Sequence, residues 1–115
     1  MAETPTFERL ASNGLKFTNF HTTGLCAPSR AALLTGRNHH SVRMGHFTET
    51  AFDAPGYDAY MPFEKATIAE VLRENGYSTF AVGKWQLTPV PERTPAGPFN
   101  RRPTGRGFDD FYGFH

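Results

Sequence analysis

The chain has a single cysteine, Cys26, among its 115 residues. One cysteine cannot form an internal disulfide, so a disulfide-stabilised scaffold is excluded. No apolar run approaches the roughly 18 residues that a membrane-spanning helix needs, and no secretory leader pattern is visible. The 12 basic and 11 acidic residues nearly cancel, so the net charge of +1 provides no field that would steer nucleic acid or an anionic membrane. We therefore expect no nucleic-acid partner and no membrane insertion, and both a cytoplasmic and a periplasmic location stay open.

The composition is typical of a folded unit that is rich in loops. Hydrophobic residues make up 38% of the chain and charged residues 20%, which favours a globular protein over disorder. The 11 glycines and 9 prolines indicate many turns. A chain of this length suits one small domain or part of one.

Two segments repeat the pattern of a capped helix, an Asn-Gly stop and a strand. In the first, Thr4 is the predicted N-cap and Pro5 the first helical residue. Asn13-Gly14 ends this helix before a predicted strand at residues 15–20. Alternation of helix and strand predicts an α/β fold with parallel pairing, and the apolar helix positions are expected to face its core.

The second segment has stronger local signals. Thr67 and Glu70 form a predicted capping box, which should begin a helix at this point. Asn75-Gly76 supplies a left-handed stop, and residues 78–82 follow as a predicted strand.

The residues after Cys26 predict a helix that begins at the cysteine. Pro28 suits a first turn, and residues 31–34 are good helix formers. Arg30 lies four positions after Cys26, on the same face of such a helix. Free backbone N–H groups and the helix dipole favour negative charge at a helix N-terminus. Cys26 and Arg30 therefore predict a pocket for an anion such as sulfate or phosphate.

Several functions would suit a cysteine in this position. A cysteine phosphatase places its arginine further from the cysteine, in a glycine-containing loop, whereas Pro28 and Arg30 give a shorter, proline-containing interval. The local C-G-S-C-W pattern of papain-like enzymes is absent. A cysteine-dependent hydrolase stays an alternative, as does a non-enzymatic remnant in which Cys26 is a small buried side chain.

Two motifs resemble those of the type I sulfatases. The run C-A-P-S-R, which begins at Cys26, is similar to the family's C-x-P-S-R, and residues 76–85, G-Y-S-T-F-A-V-G-K-W, are similar to its second motif. Similarity extends over nearly the whole chain, with bacterial arylsulfatases especially similar. The resemblance implies that residues 1–115 are part of an alkaline-phosphatase-like α/β domain with a mostly parallel sheet. It also implies hydrolysis of sulfate esters.

The resemblance assigns a role to each motif residue. In the family, a maturation enzyme oxidises the cysteine to formylglycine, an aldehyde whose hydrate is the nucleophile. Cys26 would be that nucleophile precursor, Arg30 would stabilise the hydrated aldehyde, and Lys84 would bind the sulfate. Gln86 stands where the family has a histidine, and its amide can form hydrogen bonds but cannot carry a proton. We expect Gln86 to bind the substrate weakly.

The resemblance also implies a calcium or magnesium ion. Its ligands would be an Asp-Asp pair expected ahead of Thr4, an Asp-Asn pair expected beyond residue 115, and the converted side chain of Cys26. Cys26 is thus the one expected metal ligand in this chain. Asp109-Asp110 aligns with a downstream loop, at residues 105–114, and one carboxylate pair is too few ligands for such an ion. We expect the chain by itself to be inactive.

Residues 38–65 and 88–107 have no helical or strand period. The first segment is expected to be a loop over the site. The second combines arginines with interleaved phenylalanines, a composition that nucleic-acid binding would also use. Its shortness and the near-neutral net charge argue against that function.

Overall fold

The computed structural model describes residues 3–115 of the chain. Three short helices come first: α1 (Pro5–Ser12), α2 (Cys26–Thr35) and α3 (Ile68–Glu74). Two strands follow, β1 (Phe80–Lys84) and β2 (Asp110–Phe114), and they pair in parallel. The predicted α/β class with parallel pairing is confirmed. Among residues 3–115, no helix is long and apolar enough to cross a membrane.

The predicted capping box begins α3. The Thr67 hydroxyl accepts a hydrogen bond from the Glu70 N–H at 3.1 Å, and the Glu70 carboxylate accepts one from the Thr67 N–H at 2.6 Å. These bonds satisfy two N–H groups at the start of the helix. Beyond the other end, Gly76 has a left-handed φ of 83°, which glycine adopts without steric cost. Both predicted ends of this helix are confirmed.

The first helix has the predicted ends but not the predicted environment. Thr4 is the N-cap of α1, Pro5 is its first residue and Asn13 is its C-cap, although within residues 3–115 the Thr4 side chain forms no capping hydrogen bond. Phe7 and Leu10 are exposed, and so are Ile68, Val71 and Leu72 of α3, whereas Ala69 of α3 is buried. The expectation that these side chains face a core is wrong here, because α1 buries none of its residues against the rest of the described chain.

Residues 15–20 do not form the predicted strand. They follow an irregular path, with Phe17 and Phe20 exposed by 71% and 75%. A strand is stable only when a neighbour pairs with its backbone groups and its apolar side is covered. The described sheet has two strands, β1 and β2, and neither pairs with this segment.

The second predicted strand begins two residues late, at Phe80, because Thr79 is held through side chains. The Thr79 hydroxyl donates to the Gly107 carbonyl at 2.6 Å, and the Thr79 N–H donates to the Asp109 carboxylate at 2.9 Å. The sequence places residues 105–114 in a loop, and this prediction is wrong for residues 110–114. Residues 110–114 form β2, paired residue by residue with β1.

The core lies between α2, the sheet and the long loop at residues 38–65. Its buried side chains are Ala27, Ala31, Val42, Met44, Ala59, Met61, Trp85 and Leu87. Half of these side chains belong to the loop. The loop is therefore part of the hydrophobic core, whatever else it does.

Arg106 joins the loop, α3 and the segment before β2. It is 0% exposed, and its guanidinium donates to the backbone carbonyls of residues 61, 62 and 65 and to the Glu70 carboxylate. Next to it, Gly107 has φ of 91°, and a Cβ there would lie 2.3 Å from the Glu70 nitrogen. Only glycine fits this close approach.

One face of the sheet exposes four large apolar side chains, and Asp110 and Lys84 lie on the same face. Phe80 and Val82 of β1 lie on the same face as Tyr112 and Phe114 of β2, because alternate residues of a strand share a face and the register pairs Val82 with Tyr112. These four side chains are 61–84% exposed.

Replacing Arg106 by methionine should destabilise the fold by about 3 kcal/mol or more, because several buried carbonyls and the Glu70 carboxylate would lose their donor. Urea unfolding followed by circular dichroism measures this loss. The matched control is Arg73→Met, since Arg73 forms an exposed ion pair of 3.9 Å with Asp109 and should contribute less than about 1 kcal/mol. Equal effects of the two substitutions would contradict the role given to Arg106.

Candidate active site at the start of the second helix

Cys26 is the first residue of α2, as predicted. Leu25 before it is extended, with φ −127° and ψ 144°, and Pro28 lies in the first turn. Ala27 and Pro28 are buried, so the first turn is anchored in the protein while Cys26 itself is half-buried. The sequence therefore places a thiol at the helix end where free N–H groups are found.

The loop before α2 is fixed by hydroxyl groups. The oxygen atoms of the Thr23 and Ser29 hydroxyls are 2.6 Å apart, and the Thr23 hydroxyl also lies 2.8 Å from the Leu25 carbonyl oxygen. Side-chain contacts of this kind set the angle at which a chain enters a helix. Sequence reasoning missed this role of Thr23, although a threonine shortly before a helix is a typical capping signal.

The end of β1 brings Lys84 and Gln86 toward Cys26. The Trp85 N–H donates to the Phe114 carbonyl at 2.9 Å, which continues the sheet pairing past Lys84. Trp85 and Leu87 are buried, and Gln86 between them has a left-handed φ of 56°. Few residues other than glycine adopt this conformation, so the turn at Gln86 is held in place by its two buried neighbours.

Three side chains meet at this point although they lie far apart in sequence. The Cys26 thiol donates a hydrogen bond to Gln86 Oε1 at 2.9 Å, and Lys84 Nζ donates to Cys26 Sγ at 3.7 Å. The structure thus brings together Cys26, Lys84 and Gln86. Each was named from sequence as a site residue.

Arg30 contacts the site through the backbone of Lys84. Its Nη1 donates to the Lys84 carbonyl at 2.5 Å, while its Nε is buried and has no hydrogen-bond partner among the described residues. The sequence predicts that Arg30 points toward Cys26, but its guanidinium donates to the backbone of Lys84. This bond braces the residue whose ammonium reaches Sγ.

The charge at the site is positive. None of the five ion pairs recorded for residues 3–115 involves Arg30 or Lys84. Two cations without a paired carboxylate, next to a helix N-terminus, favour a bound anion.

The side chains at Cys26 do not fit a calcium or magnesium site. These ions require several oxygen ligands, and the groups that contact Sγ are an ammonium and an amide. Within residues 3–115, no cluster of three or more histidine, cysteine, aspartate or glutamate side chains could hold a metal ion. Asp109 and Asp110 are used elsewhere, since their carboxylates accept hydrogen bonds from the N–H groups of Thr79 and Phe111.

Comparison with known proteins gives a consistent result. The family model described as Sulfatase matches residues 1–115. Human arylsulfatase A is 44% identical over 111 residues, which are 96% of this chain and 20% of that protein. Human N-acetylgalactosamine-6-sulfatase is 37% identical over 117 residues, again 96% of this chain and 20% of that protein. The chain thus spans about a fifth of the length of these curated relatives.

A solved structure is also similar. The crystal structure of Ps i-CgsB in complex with k-i-k-neocarrahexaose aligns with a TM-score of 0.53 and 34% identity. The alignment covers 76% of this chain and 17% of that one.

Calcium or magnesium should not stabilise this chain. A ligand present at its dissociation constant stabilises a protein by only about 0.4 kcal/mol, and we expect less than this at millimolar cation. Thermal unfolding with added cation or with chelator provides the measurement. A larger stabilisation that Cys26→Ala abolishes would show that a metal binds at Cys26 after all.

Proposed function

The chain belongs to the sulfatase family, and from that premise we propose that it carries the nucleophile and the anion-binding part of a sulfate-ester hydrolase. In this proposal Cys26 is the precursor of the nucleophile and Lys84 binds the sulfate group. Arg30 stabilises the site by holding the Lys84 backbone. Gln86 orients the side chain at position 26.

The observation that carries the proposal is the contact of Cys26 with Lys84 and Gln86. Their sulfur, ammonium and amide groups lie within 2.9 to 3.7 Å although the residues are 58 and 60 positions apart. A lysine beside a nucleophile at a helix N-terminus is suited to an anionic substrate. A cysteine that served only to fill the core would need no such polar partners.

A plain alcohol or thiol would be trapped after the first step of this reaction. Its attack on sulfur would leave a stable sulfated enzyme, which would need a second difficult attack by water. Formylglycine at position 26 would supply, when hydrated, two hydroxyl groups on one carbon. One would bond to sulfur while the S–O bond to the substrate alcohol breaks and the alcohol leaves; loss of the proton from the other would then re-form the aldehyde and release sulfate by cleavage of the C–O bond. The thiol would have to be oxidised by a maturation enzyme that brings its own oxidant.

The residues of this chain would contribute charge and orientation. Sulfuryl transfer places negative charge on the sulfate oxygens, and the Lys84 ammonium would stabilise that charge most strongly in the transition state. The bond from Arg30 to the Lys84 carbonyl limits the movement of the lysine backbone. Because an amide does not ionise near neutral pH, Gln86 can orient a hydroxyl group but cannot transfer a proton.

A divalent cation, which the family resemblance implies, is not part of this proposal. The donor groups around Cys26 do not fit one, so we assign no step to a metal in this chain. Without such a cation, the 115-residue chain by itself is expected to be inactive.

The alcohol portion of the substrate can be narrowed from the relatives. Their names refer to aryl sulfates and to N-acetylgalactosamine 6-sulfate, and the similar solved structure contains k-i-k-neocarrahexaose. We propose a sulfate ester of an aromatic alcohol or of a saccharide as the substrate class.

Co-expression with a formylglycine-generating enzyme should convert Cys26. Conversion replaces the thiol-bearing carbon by an aldehyde and lowers the mass of the peptide by about 18 Da. Mass spectrometry of the tryptic peptide detects this change, with Cys26→Ala as the unconverted control. A thiol that persists after co-expression would favour the non-enzymatic remnant, or a cysteine-dependent hydrolase if ester hydrolysis proves sensitive to iodoacetamide.

Replacing Lys84 by methionine should weaken the binding of inorganic sulfate about tenfold, because a hydrogen bond from a charged donor is lost. Titration of the ¹⁵N-labelled chain with sulfate at constant ionic strength measures the affinity. Lys16→Met is the control, since it removes the same charge at an exposed position between α1 and α2. Equal sulfate affinity in both variants would refute the role of Lys84.

A further inference from the structure

Trp85 and Thr88, which lie on either side of Gln86, donate hydrogen bonds to the same atom. The Trp85 indole Nε1 donates to the Arg101 carbonyl oxygen at 3.1 Å, and the Thr88 hydroxyl donates to that oxygen at 3.1 Å. A carbonyl oxygen has two lone pairs and can accept both bonds. The turn that carries Gln86 is therefore held at both of its ends by one point of the backbone.

Gln86 needs this support, because its backbone conformation is unfavourable. Its φ of 56° lies in the left-handed region, which few residues with a Cβ adopt. Such a conformation persists only where the surrounding contacts determine it. Leu87 and Thr88 contribute through burial, since both are 0% exposed. If the hydrogen bonds at the ends of the turn were lost, the turn could relax and carry Gln86 away from Cys26.

The Thr88 side chain is present for its hydroxyl group as well as for its shape. Burying a hydroxyl costs free energy unless it forms a hydrogen bond, and valine has nearly the same shape without this cost. The bond to Arg101 therefore explains a threonine at this buried position. The Thr88 carbonyl is held too, because it accepts a hydrogen bond from Arg93 Nε at 2.9 Å.

The accepting residue, Arg101, is itself held in place. Its Nη1 donates to the Glu92 carboxylate at 2.8 Å, and the two side chains are only 18% and 10% exposed. Its guanidinium carbon lies 5.3 Å from the centroid of the Tyr60 ring and 4.5 Å from that of Phe63. This arginine of the segment at residues 88–107 thus packs inward, and its backbone offers a fixed acceptor to the turn.

Gln86 is the link between this turn and the active site. Its Oε1 accepts a hydrogen bond from the Cys26 thiol at 2.9 Å. Within residues 3–115, the side-chain hydrogen bonds of Cys26 are those with Gln86 and Lys84, and none is with Thr88. Any effect of the Thr88 hydroxyl on the thiol must therefore pass through the turn.

We propose that Thr88 is a positioning residue for the active site: its bond to the Arg101 carbonyl holds the turn that keeps Gln86 against the side chain at position 26. The importance of this contact for catalysis rests on the proposed function, in which Gln86 orients the group formed from Cys26. The positioning itself can be tested on the thiol form of the chain.

The test measures the rate at which iodoacetamide alkylates Cys26 in the folded chain. The thiolate is the reactive form, and the S–H bond to Gln86 must break before it can attack. Gln86→Ala should therefore speed alkylation about two- to tenfold, as expected for the loss of one neutral hydrogen bond. Thr88→Val should also speed it, by up to the same factor. Thr88→Ser retains the hydroxyl and should restore the original rate.

A double-mutant cycle separates positioning from a general loosening of the fold. If Thr88 acts through Gln86, Thr88→Val should cause no further increase in a Gln86→Ala background, whereas a loosened fold would still raise the rate there. Thr79→Val is the matched control. It removes a buried hydroxyl that donates to the Gly107 carbonyl at 2.6 Å, just before β1, and should leave the alkylation rate unchanged.

Three results would overturn the proposal: an unchanged rate in Thr88→Val, an equal increase in the Gln86→Ala background, or an equal increase in Thr79→Val. If Thr88→Val lacks the dispersed ¹⁵N spectrum of a folded chain, Trp85→Phe takes its place in the cycle. It removes the other bond to the Arg101 carbonyl, so the same results are expected and the same results would contradict the proposal.

The conversion of Cys26 to formylglycine reports separately on the proposed function. If Cys26 is converted but Thr88→Val leaves the alkylation rate of the thiol form unchanged, this inference fails while the proposed function stands. If Cys26 is not converted but the cycle gives the expected rates, the proposed function fails while the positioning role of Thr88 stands.

Discussion

The burial of Trp85 and Leu87 is the constraint on which the candidate site depends. Both side chains pack in the same core as Ala27 and Ala31 of α2. This packing brings the end of β1 to the start of α2 and leaves Gln86 between two fixed neighbours. The polar contacts at Cys26 thus follow from apolar contacts beneath them, because the hydrophobic packing sets the distance between the two elements.

The distribution of charge follows from which residues find partners. At the loop of residues 43–60, Arg43 pairs with Asp58 and Arg93 pairs with Glu49. Near the start of α2, no carboxylate of residues 3–115 forms an ion pair with Lys84 or Arg30. A chain of almost zero net charge can therefore present a cationic site, and whole-chain charge says little about it.

Features set by neighbouring residues could be predicted from the sequence. The capping box at Thr67, the stop at Gly76 and the start of α2 at Cys26 all depend on local backbone groups. The prediction of a strand at residues 15–20 is wrong, and the sequence did not predict β2, because strand pairing depends on residues that are distant in sequence. No residue pattern in the sequence predicts the turn at Gln86, since glutamine rarely adopts a left-handed conformation. The meeting of Cys26 with Lys84 was expected only from the family resemblance, as spacing alone does not bring such residues together.

The exposed apolar face of the sheet has a consequence for the behaviour of the chain in solution. Phe80, Val82, Tyr112 and Phe114 form an exposed apolar strip, with Asp110 and Lys84 on the same face, and strips of this kind promote self-association. Sulfate is a salting-out ion that strengthens apolar association by its exclusion from protein surfaces. The anion suited to the cationic end of β1 would thus also drive copies of this chain to aggregate through the strip beside it, and the balance between the two effects would shift toward precipitation as the salt becomes concentrated.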